Sequence, residues 1–148
     1  MDSIDKKILN LVNTAFPIQQ RPYLHVARKL DLPEDEVIRR MDALKQEGVI
    51  RRIGAIIDPK RLGWYSTLCA AEIPQDKIED YVRAVNAYQE VTHNYLRQGS
   101  PNCWFTLITP ESKRAEEIIS ELRTALGVDI QNLPARRTFK IRVHFDLE

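Results

Sequence analysis

The chain has 148 residues, with 22 Lys+Arg against 21 Asp+Glu and a formal charge of +1. That length admits one domain of ordinary size or two small ones, and 43% apolar with 29% charged residues is a globular composition. The charge balance excludes a strongly basic nucleic-acid coat, and no apolar run approaches the roughly 18 residues of a membrane-spanning helix.

Ile4, Ile8 and Leu11 recur at helical spacing, widened by Leu9 and Val12. They predict a first helix ending near Asn13, before the Phe16-Pro17 loop. A second helix follows Pro22, with Tyr23, Val26, Ala27 and Leu30 on one face. Pro33 suits the first turn of a third helix, where Glu34, Asp35 and Glu36 complement the N-terminal dipole. Val37, Met41 and Leu44 form its buried stripe, and Gly48 is a natural stop. Val49 to Ile57 is rich in β-branched residues and predicts a strand. Three short helices and a strand make a winged helix-turn-helix, taken as residues 1–60.

Asp58-Pro59-Lys60-Arg61-Leu62-Gly63 is a turn, and the elements then change character. Trp64 to Ile73 predicts a strand. Asp76 to Ala87 predicts a helix with Ile78, Val82 and Val85 inward. Glu90–Arg97 and Asn102–Thr109 predict a hairpin around Gln98-Gly99-Ser100-Pro101. Ser112 to Leu126 predicts a helix with Ala115, Ile118, Ile119 and Leu122 inward. Thr138 to Leu147 predicts a last strand. The order βαββαβ over residues 61–148 is ferredoxin-like, so the fold class is α+β.

Cys69 and Cys103 form no CxxC pair, which argues against a disulfide framework or a cysteine zinc site. The Met1-Asp2-Ser3-Ile4-Asp5 start is polar and acidic, unlike a signal peptide. The expectation is a cytoplasmic protein with reduced thiols. GxGxxG, P-loop, HExxH and GxSxG motifs are all absent from the sequence.

A winged helix-turn-helix before a βαββαβ domain resembles the Lrp/AsnC regulators. Ile4-Asp5-Lys6-Lys7-Ile8-Leu9, Glu47-Gly48-Val49-Ile50, Gly54-Ala55-Ile56-Ile57-Asp58-Pro59 and Leu62-Gly63 carry that resemblance across the whole chain. Four other runs resemble a narrower family. They are Phe16-Pro17-Ile18-Gln19-Gln20-Arg21-Pro22-Tyr23, Ile50-Arg51-Arg52-Ile53-Gly54-Ala55, Val91-Thr92-His93-Asn94-Tyr95-Leu96-Arg97 and Asn102-Cys103-Trp104-Phe105-Thr106-Leu107. Together they look like the siroheme decarboxylases of the alternative haem pathway and the related subunits of haem d1 synthesis. The resemblance implies an Lrp-like scaffold used as a carboxy-lyase. Its substrate would be siroheme, losing the C12 and C18 acetate carboxyls to give 12,18-didecarboxysiroheme. It also implies a related decarboxylase subunit as partner, in a heterodimer or homodimer. The alternatives are an Lrp/AsnC-type DNA-binding regulator and a non-catalytic partner subunit of the decarboxylase.

Decarboxylating a pyrrole acetate requires that carboxylates be held, that the macrocycle be positioned, and that a proton reach carbon. Arginine binds carboxylate bidentately, histidine ligates haem-type iron, and histidine or tyrosine relays protons. Strand alternation places His93, Tyr95 and Arg97 on one face. The plainer alternative is a polar sheet face at a subunit interface. With the resemblance added, His93 and Tyr95 become the catalytic candidates. His93 is either an axial ligand to the substrate's iron or the proton donor.

Arg97, Arg51, Arg52 and Arg21 are the candidate substrate-binding cations. Arg51 and Arg52 face opposite sides of a strand, so one at most enters a given pocket. Arg21 serves equally as a propionate clamp or a helix cap. For Trp104 and Phe105 core packing is the expectation, although one of them could stack on a macrocycle. The basic run Arg136, Arg137, Lys140 and Arg142 reads as solvated, and His25 and His144 as structural. No separate cofactor is expected, because the iron arrives with the substrate. DNA binding is disfavoured, because Glu34, Asp35 and Glu36 would meet a polyanion at the start of the third helix.

Overall fold

A computed structural model describes residues 1–140 and 145–147. The chain forms two compact units. One comprises Met1–Ala55 with the C-terminal segment from Lys140, and the other Ile56–Phe139. The division thus falls at Ala55–Ile56 rather than after residue 60, and the C-terminal segment joins the first unit.

The first unit holds α1 (Ser3–Val12), α2 (Pro22–Leu30) and α3 (Glu34–Gln46). Asp2 caps α1 by accepting from the amides of Ile4 and Asp5, while Asp5 accepts from the Asp2 amide. Ile8, Val26, Ala27, Val37 and Met41 form the shared core. Arg40, with only 16% of its side chain exposed, ties α3 to the start of α1 through Asp2 at 2.8 Å and Asp5 at 2.7 Å. It also bonds Glu36 at 2.6 Å, one turn earlier on α3. The Asp5 amide, followed by the Arg40 guanidinium, holds the Asp2 carboxyl down at about 2.

The expected wing strand does not form. Residues 49–57 carry no strand, and of these only Ile50 is partly buried. β-branched composition favours a strand only where a neighbour completes the ladder, and among the described residues none does.

In the second unit the order is β1 (Tyr65–Ala71), α4 (Ile78–Asn86), β2 (Val91–Leu96), β3 (Cys103–Thr109), α5 (Ser112–Leu126) and β4 (Ile130–Pro134). The strands form one sheet in the order β2-β3-β1-β4, with every neighbouring pair antiparallel. This is the ferredoxin-like arrangement. Cys69, Ala71, Phe105, Leu107 and Ile130 on the sheet pack with Tyr81, Val85, Ile118 and Leu122 on the helices. α5 buries Ala115, Ile118, Ile119 and Leu122, the stripe its spacing predicts. In α4 the inward residue is Tyr81 rather than Val82, which is exposed.

The last strand also differs from expectation. Among the described residues it is Ile130–Pro134, which precedes the expected Thr138–Leu147. Residues 138–140 and 145–147 are not strand, and residues 141–144, including Arg142 and His144, lie outside the described residues. Two described residues near the chain end, Phe145 and Leu147, meet side-chain amides of α1. Asn10 both donates to the Leu147 carbonyl, at 2.9 Å, and accepts from its amide, at 3.0 Å. Asn13 donates to the Phe145 carbonyl.

Candidate functional site

β3 alternates strictly. Cys103, Phe105, Leu107 and Thr109 are buried toward the helices, whereas Trp104, Thr106 and Ile108 are partly exposed on the opposite face. The register then assigns faces to its neighbours. Tyr95 lies opposite Trp104 and His93 opposite Thr106, so both belong to the helix-free face. Leu68 of β1 joins them through its pairing with Thr106, and Leu133 of β4 through Leu68.

One irregularity makes this possible. Val91 pairs with Leu107 and His93 with Thr106, so β2 carries an extra residue, Thr92, against β3. Unbroken alternation from Val91, which packs on the helix-side core, would send His93 inward. The bulge turns it outward, a use of bulges common beside active sites.

The outward side chains touch. The His93 and Tyr95 rings stack with centroids 6.0 Å apart. The Arg97 guanidinium carbon sits 5.9 Å from the Tyr95 ring centre and 5.7 Å from that of Trp104. Trp104 donates its indole N–H to the Pro101 carbonyl at 2.9 Å, which fixes the ring. The Nδ1 atom of His93 is 3.1 Å from the Thr92 hydroxyl oxygen. Beyond Thr106, Ile108 borders a shallow cleft of about 630 Å³ that Trp64, Tyr88, Glu90 and Arg114 also line.

Trp104 therefore departs from the expectation of core packing. Phe105 is the core residue of the pair, and Trp104 supplies an aromatic surface beside the His93–Tyr95–Arg97 row. The sequence signal was present, since adjacent strand residues must face opposite sides.

The remaining candidates lie in the first unit. Arg21 precedes α2 and forms an ion pair with Glu34, the first residue of α3. It makes no side-chain cap bond on α2. Arg51 and Arg52 are exposed and lie outside any strand, so the opposed orientation expected of them has no basis in the structure. His25 borders a cleft of about 300 Å³ with Phe16, Ile18 and Lys29. On α3, Arg39 and Arg40 both bond Glu36, which occupies the two arginines available for phosphate contact near the middle of that helix. Arg136, Arg137 and Lys140 are exposed, as a solvated run should be. Among the described residues no group of three His, Cys, Asp or Glu is placed to hold a metal, and no helix is long and apolar enough to cross a membrane.

The model of the siroheme decarboxylase NirDL-like HTH domain matches residues 5–51, and that of the AsnC-like ligand-binding domain matches residues 61–140. The siroheme decarboxylase alpha subunit of Desulfovibrio desulfuricans is 47% identical over 148 residues, all of this chain and 86% of that protein. The chain belongs to the siroheme decarboxylase family. A crystal structure of the siroheme decarboxylase NirDL, in complex with an iron-uroporphyrin III analogue, aligns with a TM-score of 0.69 at 28% identity. That alignment covers 93% of this chain and 47% of NirDL, so the chain spans about half of the latter. The Mycobacterium tuberculosis leucine response regulatory protein aligns with a TM-score of 0.81 at 20% identity, over 97% of this chain and 99% of that one. At that identity the likeness shows the Lrp/AsnC fold alone. Family membership and fold thus agree with what the sequence resemblance implied.

Proposed function

We propose that this chain is a siroheme decarboxylase subunit that removes the C12 and C18 acetate carboxyls of siroheme, giving 12,18-didecarboxysiroheme. The observation that carries this reading is the outward row of His93, Tyr95, Arg97 and Trp104 on the helix-free sheet face. A planar, polycarboxylated macrocycle needs an aromatic surface and a cation, and this row offers both.

In each step the bond from the acetate methylene to its carboxylate breaks. Carbon dioxide leaves, the electron pair passes into the conjugated pyrrole system, and one proton is added to the methylene carbon to leave a methyl group. Arg97 holds a substrate carboxylate, and its place over two rings limits the orientations it can take. His93 or Tyr95 delivers the proton. The iron belongs to the substrate, and His93 is the side chain of the row able to ligate it. No separate cofactor is invoked. Arg21, Arg51 and Arg52, in the first unit, are proposed as further carboxylate-binding cations, Arg21 by exchanging its half-buried Glu34 partner for a substrate carboxylate. The helix-free face, with Leu68 and Leu133 exposed, also suits a related decarboxylase subunit as partner. A cytoplasmic setting fits its two buried free thiols.

Anaerobic siroheme is added to the purified chain, alone and co-expressed with a related subunit, and the product mass is measured. Loss of two carbon dioxide units supports the reading. Binding without mass loss favours a partner or sensor role instead. Absence of binding in both overturns the proposal.

A further inference from the structure

Asn94 is an unusual residue for its position. It sits in the middle of β2, opposite Phe105, on the face turned toward the helices. Asparagine is depleted in strands, and on β3 this face is apolar from Cys103 through Phe105 to Leu107. Both ends of its amide are bonded there. The Tyr81 hydroxyl donates to Asn94 Oδ1 at 2.9 Å, and Asn94 Nδ2 donates to Asn86 Oδ1 at 3.0 Å. Tyr81, on α4, is only 1% exposed, and its ring packs edge-on against Phe105. A hydroxyl buried to that extent must find an acceptor or carry a desolvation penalty.

We infer that the Tyr81–Asn94 hydrogen bond is the positioning device that locks the β2 bulge and so turns His93 and Tyr95 toward the site. The inference rests on the proposed function only for the role of those two side chains. The observed register can be set against one without the bulge. In the observed one, Thr92 is the extra residue and His93 lies opposite Thr106. Without the bulge, His93 would lie opposite Phe105 and Asn94 opposite Trp104, which reverses both faces. Apolar contacts do little to choose between them. Of the inward residues on β2, Val91 is shared by both registers, and Leu96 is largely exposed at the strand end. The bond to Tyr81 exists only in the observed register. Tyr81 and Asn94 are therefore positioning residues that act through His93 and Tyr95.

The test uses the full isotopically labelled chain and reads backbone nuclear Overhauser contacts across β2 and β3, alongside siroheme turnover. Asn94→Ala is expected to stay folded, to lose the His93–Thr106 contact, and to lower turnover about tenfold or more. Asn94→Asp keeps an acceptor for the Tyr81 hydroxyl and is expected to restore most of both. A merely structural role would lower the melting temperature without moving the register. An Asn94→Ala protein with the His93–Thr106 contact and wild-type turnover overturns the inference. If that variant does not fold, Tyr81→Phe, which removes a single oxygen, is judged by the same two readouts. A wild-type chain that never turns over siroheme sinks the proposed function instead, and the register comparison alone then decides the positioning claim.

Discussion

Tyr95 and Trp104 face each other across β2 and β3 on the helix-free face, and the guanidinium of Arg97 lies within 6 Å of both ring centres, at 5.9 and 5.7 Å. A cation held over two rings is oriented without being neutralised. It can therefore still take a carboxylate. Arg97→Ala is expected to weaken siroheme binding about 10- to 100-fold, the equivalent of losing a charged hydrogen bond of about 1.5–3 kcal/mol. Arg97→Lys keeps the charge but not the planar fork, and should recover only part of the loss. Spectroscopic titration of the substrate measures both. Wild-type affinity in Arg97→Ala would remove the residue from the site.

His93 has two candidate roles, and they separate by readout. His93→Ala should abolish turnover under either. If His93 ligates the iron, the Soret band of bound siroheme also moves, and added imidazole moves it back. If it delivers the proton, the spectrum holds while turnover is lost. A variant with an unchanged spectrum and wild-type turnover would exclude both roles.

Much of this site was legible in the sequence, and the exceptions have physical causes. The stripe of α5 followed from helical spacing alone, because Ala115, Ile118, Ile119 and Leu122 report a local periodicity. The grouping of His93 with Tyr95 followed from strand alternation in the same way. The bulge at Thr92 did not, because it is a relation between two strands and leaves no mark on one. β4 was missed because Ile130 is its single fully buried residue, in a run containing Gln131, Asn132 and Pro134. The segment from Thr138 has a better strand pattern, yet its described residues, 138–140 and 145–147, are not strand. Composition ranks a segment's fitness for a strand but does not supply its partner.

The first unit should respond to acid through Asp2. Its carboxyl is held at about 2, against an ordinary value of 3.8, first by the Asp5 amide and then by Arg40. A depressed carboxyl stabilises the fold above its unfolded value, and the stabilisation is lost as pH falls through the folded one. Thermal unfolding should therefore show stability falling from about pH 4 toward pH 2. In Arg40→Ala the lower end of that window should move upward, toward the ordinary carboxylate range. An unchanged acid profile in the variant would show that the Arg40 ion pairs do not set it.

Asn102 closes the hairpin that presents Arg97. Its side chain accepts from the Ile73 amide at 2.9 Å and donates to the Ile73 carbonyl at 2.8 Å, while its own carbonyl accepts from the Arg97 amide at 2.7 Å. Ile73 is buried, so Asn102→Ala strands two backbone groups and should cost about 1–3 kcal/mol in denaturant unfolding. Asn102→Asp sets a carboxylate against the Ile73 carbonyl at neutral pH. Denaturant unfolding of both variants at pH 7 decides the matter. Wild-type stability in both would mean that the Ile73 contact is not what Asn102 contributes.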